Sequence, residues 1–338
     1  MVKMYKILFF NTLALGTLTA ISSYNWYTAW IGLEINLLSL IPLLKDPLNK
    51  FPSEAALKYF ISQTIGSSLI LYTIVMFSFS KTPLASQMEM PETIAISSAL
   101  LLKMGAAPFH FWMPEVISGL NWKNIYIIMT WQKIAPLTLL FYLIDSFIML
   151  FSIIIVASSM ISGIQGLNQT CMRKIMAYSS INHTSWMIAS MLNSFSIFIY
   201  YFLIYCLINF NMVLVFNKFS ILYLSQLIKT FSSQKIMKFL FMLNFLSLGG
   251  LPPFIGFLPK WMTINMMVNN NHYFVAAMLI IFTLISLYFY LRVTFSSFTV
   301  QAQETLVLLF KKINFFHFMT NMLSFMGLIM CGFMDSFF

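Results

Sequence analysis

Four ionisable side chains, Glu34, Lys103, Lys133 and Lys260, stand inside long apolar runs, far from the ends of those runs. A charge at mid-membrane costs about 2.5–3.5 kcal/mol on insertion scales, so the four together cost on the order of 10 kcal/mol unless paired, hydrated or neutralised. Stability gives no reason to keep them. The chemistry that such groups support is proton transfer. Burial disfavours an ammonium and a nearby carboxylate favours it, so moving the carboxylate switches a lysine between its two states. The structural alternative is a single pair between Glu34 and one lysine that fixes helix packing, and it leaves two lysines unexplained.

A second signal is the repeated pattern G-x-x-P-F, found as Gly105-Ala-Ala-Pro108-Phe109 and as Gly250-Leu-Pro-Pro253-Phe254. Proline removes a backbone donor and clashes with the preceding turn, so each pattern predicts a break or kink at membrane depth. Interrupted segments at corresponding places in two halves mark ion sites in transporters built from repeats. Lys103 precedes the first pattern and Lys260 follows the second, where loosened carbonyls would solvate an ammonium. The alternative is a pair of plain proline kinks.

Two histidines are candidate relays. His110 lies seven residues after Lys103, two helical turns along one face, and either extends a polar path or serves as a hydrogen-bonded structural group. His183 sits in the polar run Tyr178-Ser-Ser-Ile-Asn-His-Thr-Ser185, which suits a wet interior better than lipid. His272 and His317 fall near span ends and receive no role.

The elements that must hold these groups are membrane helices. Of 338 residues, 60% are hydrophobic and 8% charged, too little polar surface for a water-soluble globule of this size. Apolar runs of about 20 residues recur, each able to cross a hydrocarbon core of about 30 Å. Continuous runs such as Tyr5 to Ser23 lack the alternation of an outer-membrane barrel. The expected spans are 5–23, 26–44, 54–80, 92–112, 122–143, 146–170, 174–191, 194–218, 236–270, 272–297 and 313–333, about eleven. The expected class is therefore an all-α polytopic membrane protein forming a single transmembrane domain over residues 1–338.

Charge sorting supports that count. The chain has 19 Lys and Arg residues; setting aside the three mid-span lysines and Lys81 leaves 15, and alternating spans put all 15 on the N-terminal side. Lys81 alone faces the other way, as the positive-inside rule favours. The net charge of +10 therefore reflects topology and not a nucleic-acid stripe. Cys171, Cys206 and Cys331 lie too far apart for a zinc or iron–sulfur framework, and no G-x-G-x-x-G or Walker A sequence offers a nucleotide site. No cofactor or metal site is expected on this chain. Lys3 and Lys6 before an apolar run resemble a signal peptide, but the many similar runs downstream favour a first membrane helix.

Leu101-Leu-Lys103-Met-Gly-Ala-Ala-Pro108-Phe-His110-Phe-Trp112, with Trp131-Gln-Lys133-Ile-Ala-Pro136, resembles the antiporter-like subunits of proton-pumping NADH:quinone oxidoreductase, respiratory complex I. So do Arg173-Lys-Ile-Met-Ala-Tyr178-Ser-Ser-Ile and Gly249-Gly-Leu-Pro-Pro253-Phe-Ile-Gly256-Phe-Leu-Pro-Lys260-Trp261. The match runs in order along the whole chain and is greatest to a shortened animal mitochondrial form without the family's N-terminal helices. Two arginines and 26 methionines give an insect-type, organelle-encoded character.

The resemblance implies an antiporter-like fold with two discontinuous helices. Glu34 would partner Lys103 on the first broken helix, Lys133 would be the central lysine, and Lys260 the lysine of the second broken helix. It further implies an inner mitochondrial membrane, with the basic N-terminal side facing the matrix. The expected partners are other membrane-arm subunits and membrane lipids, with no redox cofactor on this chain. Two other readings use the same residues or none: a cation/proton antiporter subunit, and a structural spacer that conducts nothing.

Overall fold

A hydrocarbon layer offers no water to an unpaired backbone group, and the described residues are helical almost throughout. The computed structural model describes residues 4–46, 49–79, 90–144, 146–230, 235–299 and 321–322. Among them seven helices are long and apolar enough to cross a membrane, with Phe239–Gly249 a shorter apolar helix. The expected span 313–333 lies outside the described residues, apart from Asn321 and Met322.

The described residues cluster into two compact units, Met1–Ile154 and Ile155–Phe338. The first holds α1 (Met4–Ile21), α2 (Trp26–Leu44), α3 (Phe51–Phe79), α4 (Met90–Met104), α5 (Trp112–Gly119), α6 (Trp122–Met129) and α7 (Trp131–Ile144). Helix α8 (Ile148–Leu167) runs across the division, and α9 (Met172–Met191), α10 (Phe195–Phe219), α11 (Leu224–Thr230), α12 (Lys235–Gly249), α13 (Phe257–Asn269) and α14 (Tyr273–Thr299) belong to the second.

Small residues set the closest approach in the first unit. A Cβ on Gly16 of α1 would come within 2.8 Å of the Asn36 backbone nitrogen, and one on Gly32 of α2 within 2.6 Å of that of Ala20. Such small-residue contacts let membrane helices approach backbone to backbone. Helix α3 then packs on α2, α4 and α5, while α7 lies against α1, α2 and α4. At one end of this unit Lys58 pairs with Glu54 at 3.3 Å and Glu115 at 3.1 Å, and Asn121 donates to Asp46 at 3.0 Å. Charge sorting places Lys58 on the N-terminal side.

In the second unit α9 packs against α10, α13 and α14, and every side chain from Ile175 to Met191 is buried. The chain before α9 and after α10 meets through Met172, whose N–H donates to Leu222 at 2.9 Å, and Leu224, which donates to Thr170 at 3.3 Å. The Arg292 guanidinium of α14 caps the same end, donating to the Leu167 carbonyl and, at 2.8 Å, to that of Gln169.

Three expected spans are interrupted. In the span expected at 92–112, α4 stops at Met104 because Gly105 adopts φ +71°. The Gly105 N–H bonds Leu102 at 3.1 Å and the Ala106 N–H bonds Leu101 at 3.0 Å. The span expected at 236–270 repeats this closure: Gly250 has φ +79°, its N–H reaches Ser247 at 3.0 Å, and the Leu251 N–H reaches Leu246 at 3.3 Å. Both are Schellman ends. Glycine stops each helix, and the prolines that follow prevent its resumption, which reverses the cause read from the sequence. The third division was not foreseen: at Thr130, between α6 and α7, the hydroxyl bonds back to the Tyr126 carbonyl at 2.6 Å. Back-bonding of this kind bends helices.

Candidate functional site

Lys103 occupies the last turn of α4, where the helix dipole favours a cation, and is 5% exposed. Its aliphatic stem runs beside Gly66 of α3, where a Cβ would lie 3.2 Å from Lys103 Cγ. Glu34, half-buried midway along α2, lies within electrostatic reach of the Lys103 ammonium. The helix end around Lys103 is closed by side chains: Gln63 Nε2 of α3 donates to the Lys103 carbonyl at 3.2 Å, and Trp112 Nε1 of α5 donates to that of Leu102 at 2.9 Å. The carbonyls expected to stand loose at this break are therefore held by polar groups of neighbouring helices.

Lys133 lies in the first turn of α7 and is 1% exposed. Its neighbour Gln132 forms a bridge that charge counting does not reveal. Tyr59 of α3 donates to Gln132 Oε1 at 3.3 Å, and Gln132 Nε2 donates to Asn36 Oδ1 at 2.8 Å. Asn36 is two residues from Glu34, so the bridge ties the helix of Glu34 to the helix of Lys133. A signal was present in the sequence: amides within apolar runs, each within two residues of a mid-span charge.

His110 is buried between α4 and α5, with Nδ1 3.2 Å from the Pro108 carbonyl and its ring 4.3 Å from that of Phe111. Because α4 ends at Met104, the seven-residue spacing does not put His110 on a helical face shared with Lys103. What the two share is one helix break.

In the second unit Lys260, 6% exposed, sits one turn into α13. Its Nζ donates to the carbonyls of Gly249 at 2.8 Å and Leu248 at 3.2 Å, the last two residues of α12. The Trp186 ring of α9 lies 5.8 Å from this ammonium. His183, three residues before Trp186 on α9, has Nδ1 2.8 Å from the Tyr201 hydroxyl, and its ring lies 5.1 Å from that of Tyr205. The Tyr205 hydroxyl turns toward Ser180 and Asn209. Tyr201, Tyr205 and Asn209 follow one another at four-residue spacing on α10, a polar stripe legible in the sequence but overlooked among its aromatics.

The structure thus brings Glu34 and Lys103 together and ties α2 to α7 beside Lys133. Lys260 and His183 stand in the second unit, joined through the face of α9 that carries Trp186. Among the described residues no group of three or more His, Cys, Asp or Glu side chains is arranged to hold a metal ion.

Residues 23–286 match the family described as NADH:quinone oxidoreductase/Mrp antiporter, transmembrane. The chain is 48% identical over 306 residues to NADH-ubiquinone oxidoreductase chain 2 of Anopheles gambiae, covering 90% of this chain and 89% of that protein. It is 42% identical to the chain of the same name from Locusta migratoria, over 86% of this chain and 85% of that one. Among solved structures it resembles a chain of respiratory complex I from Thermus thermophilus with bound aureothin. That match has a TM-score of 0.82 at 22% identity and covers 97% of this chain and 78% of that one. A chain of the Mrp complex from Dietzia sp. gives a TM-score of 0.73 at 14% identity, over 84% and 59% of the respective chains. At these identities the two structural likenesses speak for the fold.

Proposed function

Because the chain belongs to the NADH:quinone oxidoreductase/Mrp antiporter transmembrane family, with relatives named NADH-ubiquinone oxidoreductase chain 2, we propose that it is a membrane-arm subunit of proton-translocating complex I. Protons move through Glu34, Lys103, Lys133 and Lys260, with His110 and His183 as relays. The energy comes from quinone reduction in other subunits, and this chain carries no redox cofactor. It works as one antiporter-like domain of eleven spans, with α4–α5 and α12–α13 as its two discontinuous helices. Other membrane-arm subunits and inner mitochondrial membrane lipids surround it, with the basic N-terminal side toward the matrix.

The observation that carries this reading is the burial of three lysines, Lys103, Lys133 and Lys260, to 6% exposure or less among apolar helices. At the first of them, Glu34 lies within electrostatic reach of the Lys103 ammonium. Motion of that carboxylate, driven from the quinone site, would load or unload Lys103 and pass the change along the chain.

Lys103→Met tests the proposal, since it removes the charge and the transferable proton while keeping an apolar chain of similar length. In sealed vesicles with assembled enzyme, protons moved per NADH oxidised should fall several-fold. Unchanged translocation at normal assembly would favour the spacer reading. Sodium-dependent transport without NADH would favour the antiporter reading.

A further inference from the structure

The two lysines at the helix breaks meet different surroundings. Lys103 has Glu34 within electrostatic reach. Lys260 has no such neighbour in its own stretch, because between Asp145 and Glu304 the sequence contains no Asp or Glu at all. A lysine 6% exposed would be expensive to charge without something negative beside it.

Among the described residues, what stands beside it is neutral. The carbonyls of Gly249 and Leu248 end α12, where the helix dipole concentrates partial negative charge, and each accepts from Lys260 Nζ. An ammonium has three N–H donors, so two are used there. The remaining side meets Trp186, whose ring centroid lies 5.8 Å from Nζ and whose side chain is 1% exposed. The face of an indole carries the negative part of its quadrupole and attracts a cation, most strongly when both are desolvated. The backbone permits the approach: a Cβ on Gly250 would come within 2.9 Å of Nζ.

We infer that Trp186, with the two terminal carbonyls of α12, acts as the neutral counter-ion of Lys260 and is a positioning residue for proton transfer there. The inference rests on Lys260 being a proton station. Neither an indole ring nor a backbone carbonyl takes up a proton near neutral pH, so of these groups only Lys260 can hold one. At Lys103 the proton has a carboxylate to share it.

The test compares a variant that keeps an aromatic face with one that does not, in assembled enzyme in sealed NADH-oxidising vesicles. Trp186→Phe and Trp186→Leu both leave a smaller apolar side chain, but only phenylalanine offers a π face. Phenylalanine should retain at least half of the protons moved per NADH, whereas leucine should lose about three- to tenfold, within the range of a buried cation–π contact. In a Lys260→Met background, Trp186→Leu should have no further effect. Should the leucine enzyme fail to assemble, Trp186→Met replaces it, because methionine's flexible chain fills irregular gaps without an aromatic face. Equal pumping by the aromatic and aliphatic variants, or an undiminished leucine effect without Lys260, would overturn the inference alone. Full pumping by Lys260→Met would overturn both the inference and the role assigned to Lys260.

Discussion

At the residue scale, what a buried lysine can do depends on whether its proton leaves. Lys133 is 1% exposed, with the Tyr59–Gln132–Asn36 bridge built beside it. If it relays, Lys133→Met should permit assembly and sharply reduce NADH-driven acidification in sealed vesicles, normalised to assembled enzyme. Lys133→Arg should reduce it as well, because a guanidinium keeps its proton. A fixed charge predicts that arginine restores pumping, so full activity of that variant would exclude the relay role. The four charged candidates were legible because a charge inside an apolar run stands out one residue at a time. Gln63 and Trp186 were not, because each acquires its role only from a helix distant in sequence, and Gln132, marked by its place beside Lys133, gave no sign of its partner. Gln132 meets Asn36 across 96 positions, and no local pattern encodes that pairing.

At the element scale, the helix breaks depend on a backbone conformation more than on a side chain. Gly250 adopts φ +79°, which costs other L-residues about 1–2 kcal/mol, and a Cβ there would press on Lys260 Cδ, Nζ and Cε at 2.8–3.1 Å. Gly250→Ala should therefore dislodge the ammonium from the α12 carbonyls, lowering both the thermal stability of the assembled enzyme and its pumping. Gly249→Ala is the matched control. Its Cβ would meet nothing closer than Leu287 Cγ at 3.7 Å, an ordinary contact, and should leave both properties near normal. Equal effects of the two substitutions on pumping would remove the argument from conformation. Proline in the repeated pattern signalled where the breaks lie, but the turn that makes them is set by the preceding glycine, whose sign of φ is invisible in a sequence. The division at Thr130 carries even less signal, since threonine is common inside membrane helices and bends one only when its hydroxyl turns back on the preceding turn.

At the scale of the whole molecule, apolar run length located most of the described long helices to within a few residues, as with α2, expected and observed at 26–44, but not the short α5 and α11 or the early end of α4. Burial was harder to foresee, because in lipid an apolar side chain is equally at home facing outward or inward, and only polar residues betray an interior face. Helix α9 shows this most plainly. It carries Ser179, Ser180, Asn182, His183, Thr184, Ser185 and Ser190, all buried, and is not one of the seven helices apolar enough to cross a membrane by itself. During synthesis such a segment gains little by leaving the insertion machinery for lipid, so its entry into the bilayer must wait for a neighbour that receives its polar face. Helix α10, 25 residues long, apolar enough to cross a membrane and bearing Tyr201 and Tyr205 toward His183, is that neighbour. In a membrane-insertion assay α10 should span alone, whereas α9 should span only when α10 follows it; efficient insertion of isolated α9 would disprove this. A helix chosen for what it does inside the finished protein should thus enter the membrane only with help from the sequence still to come.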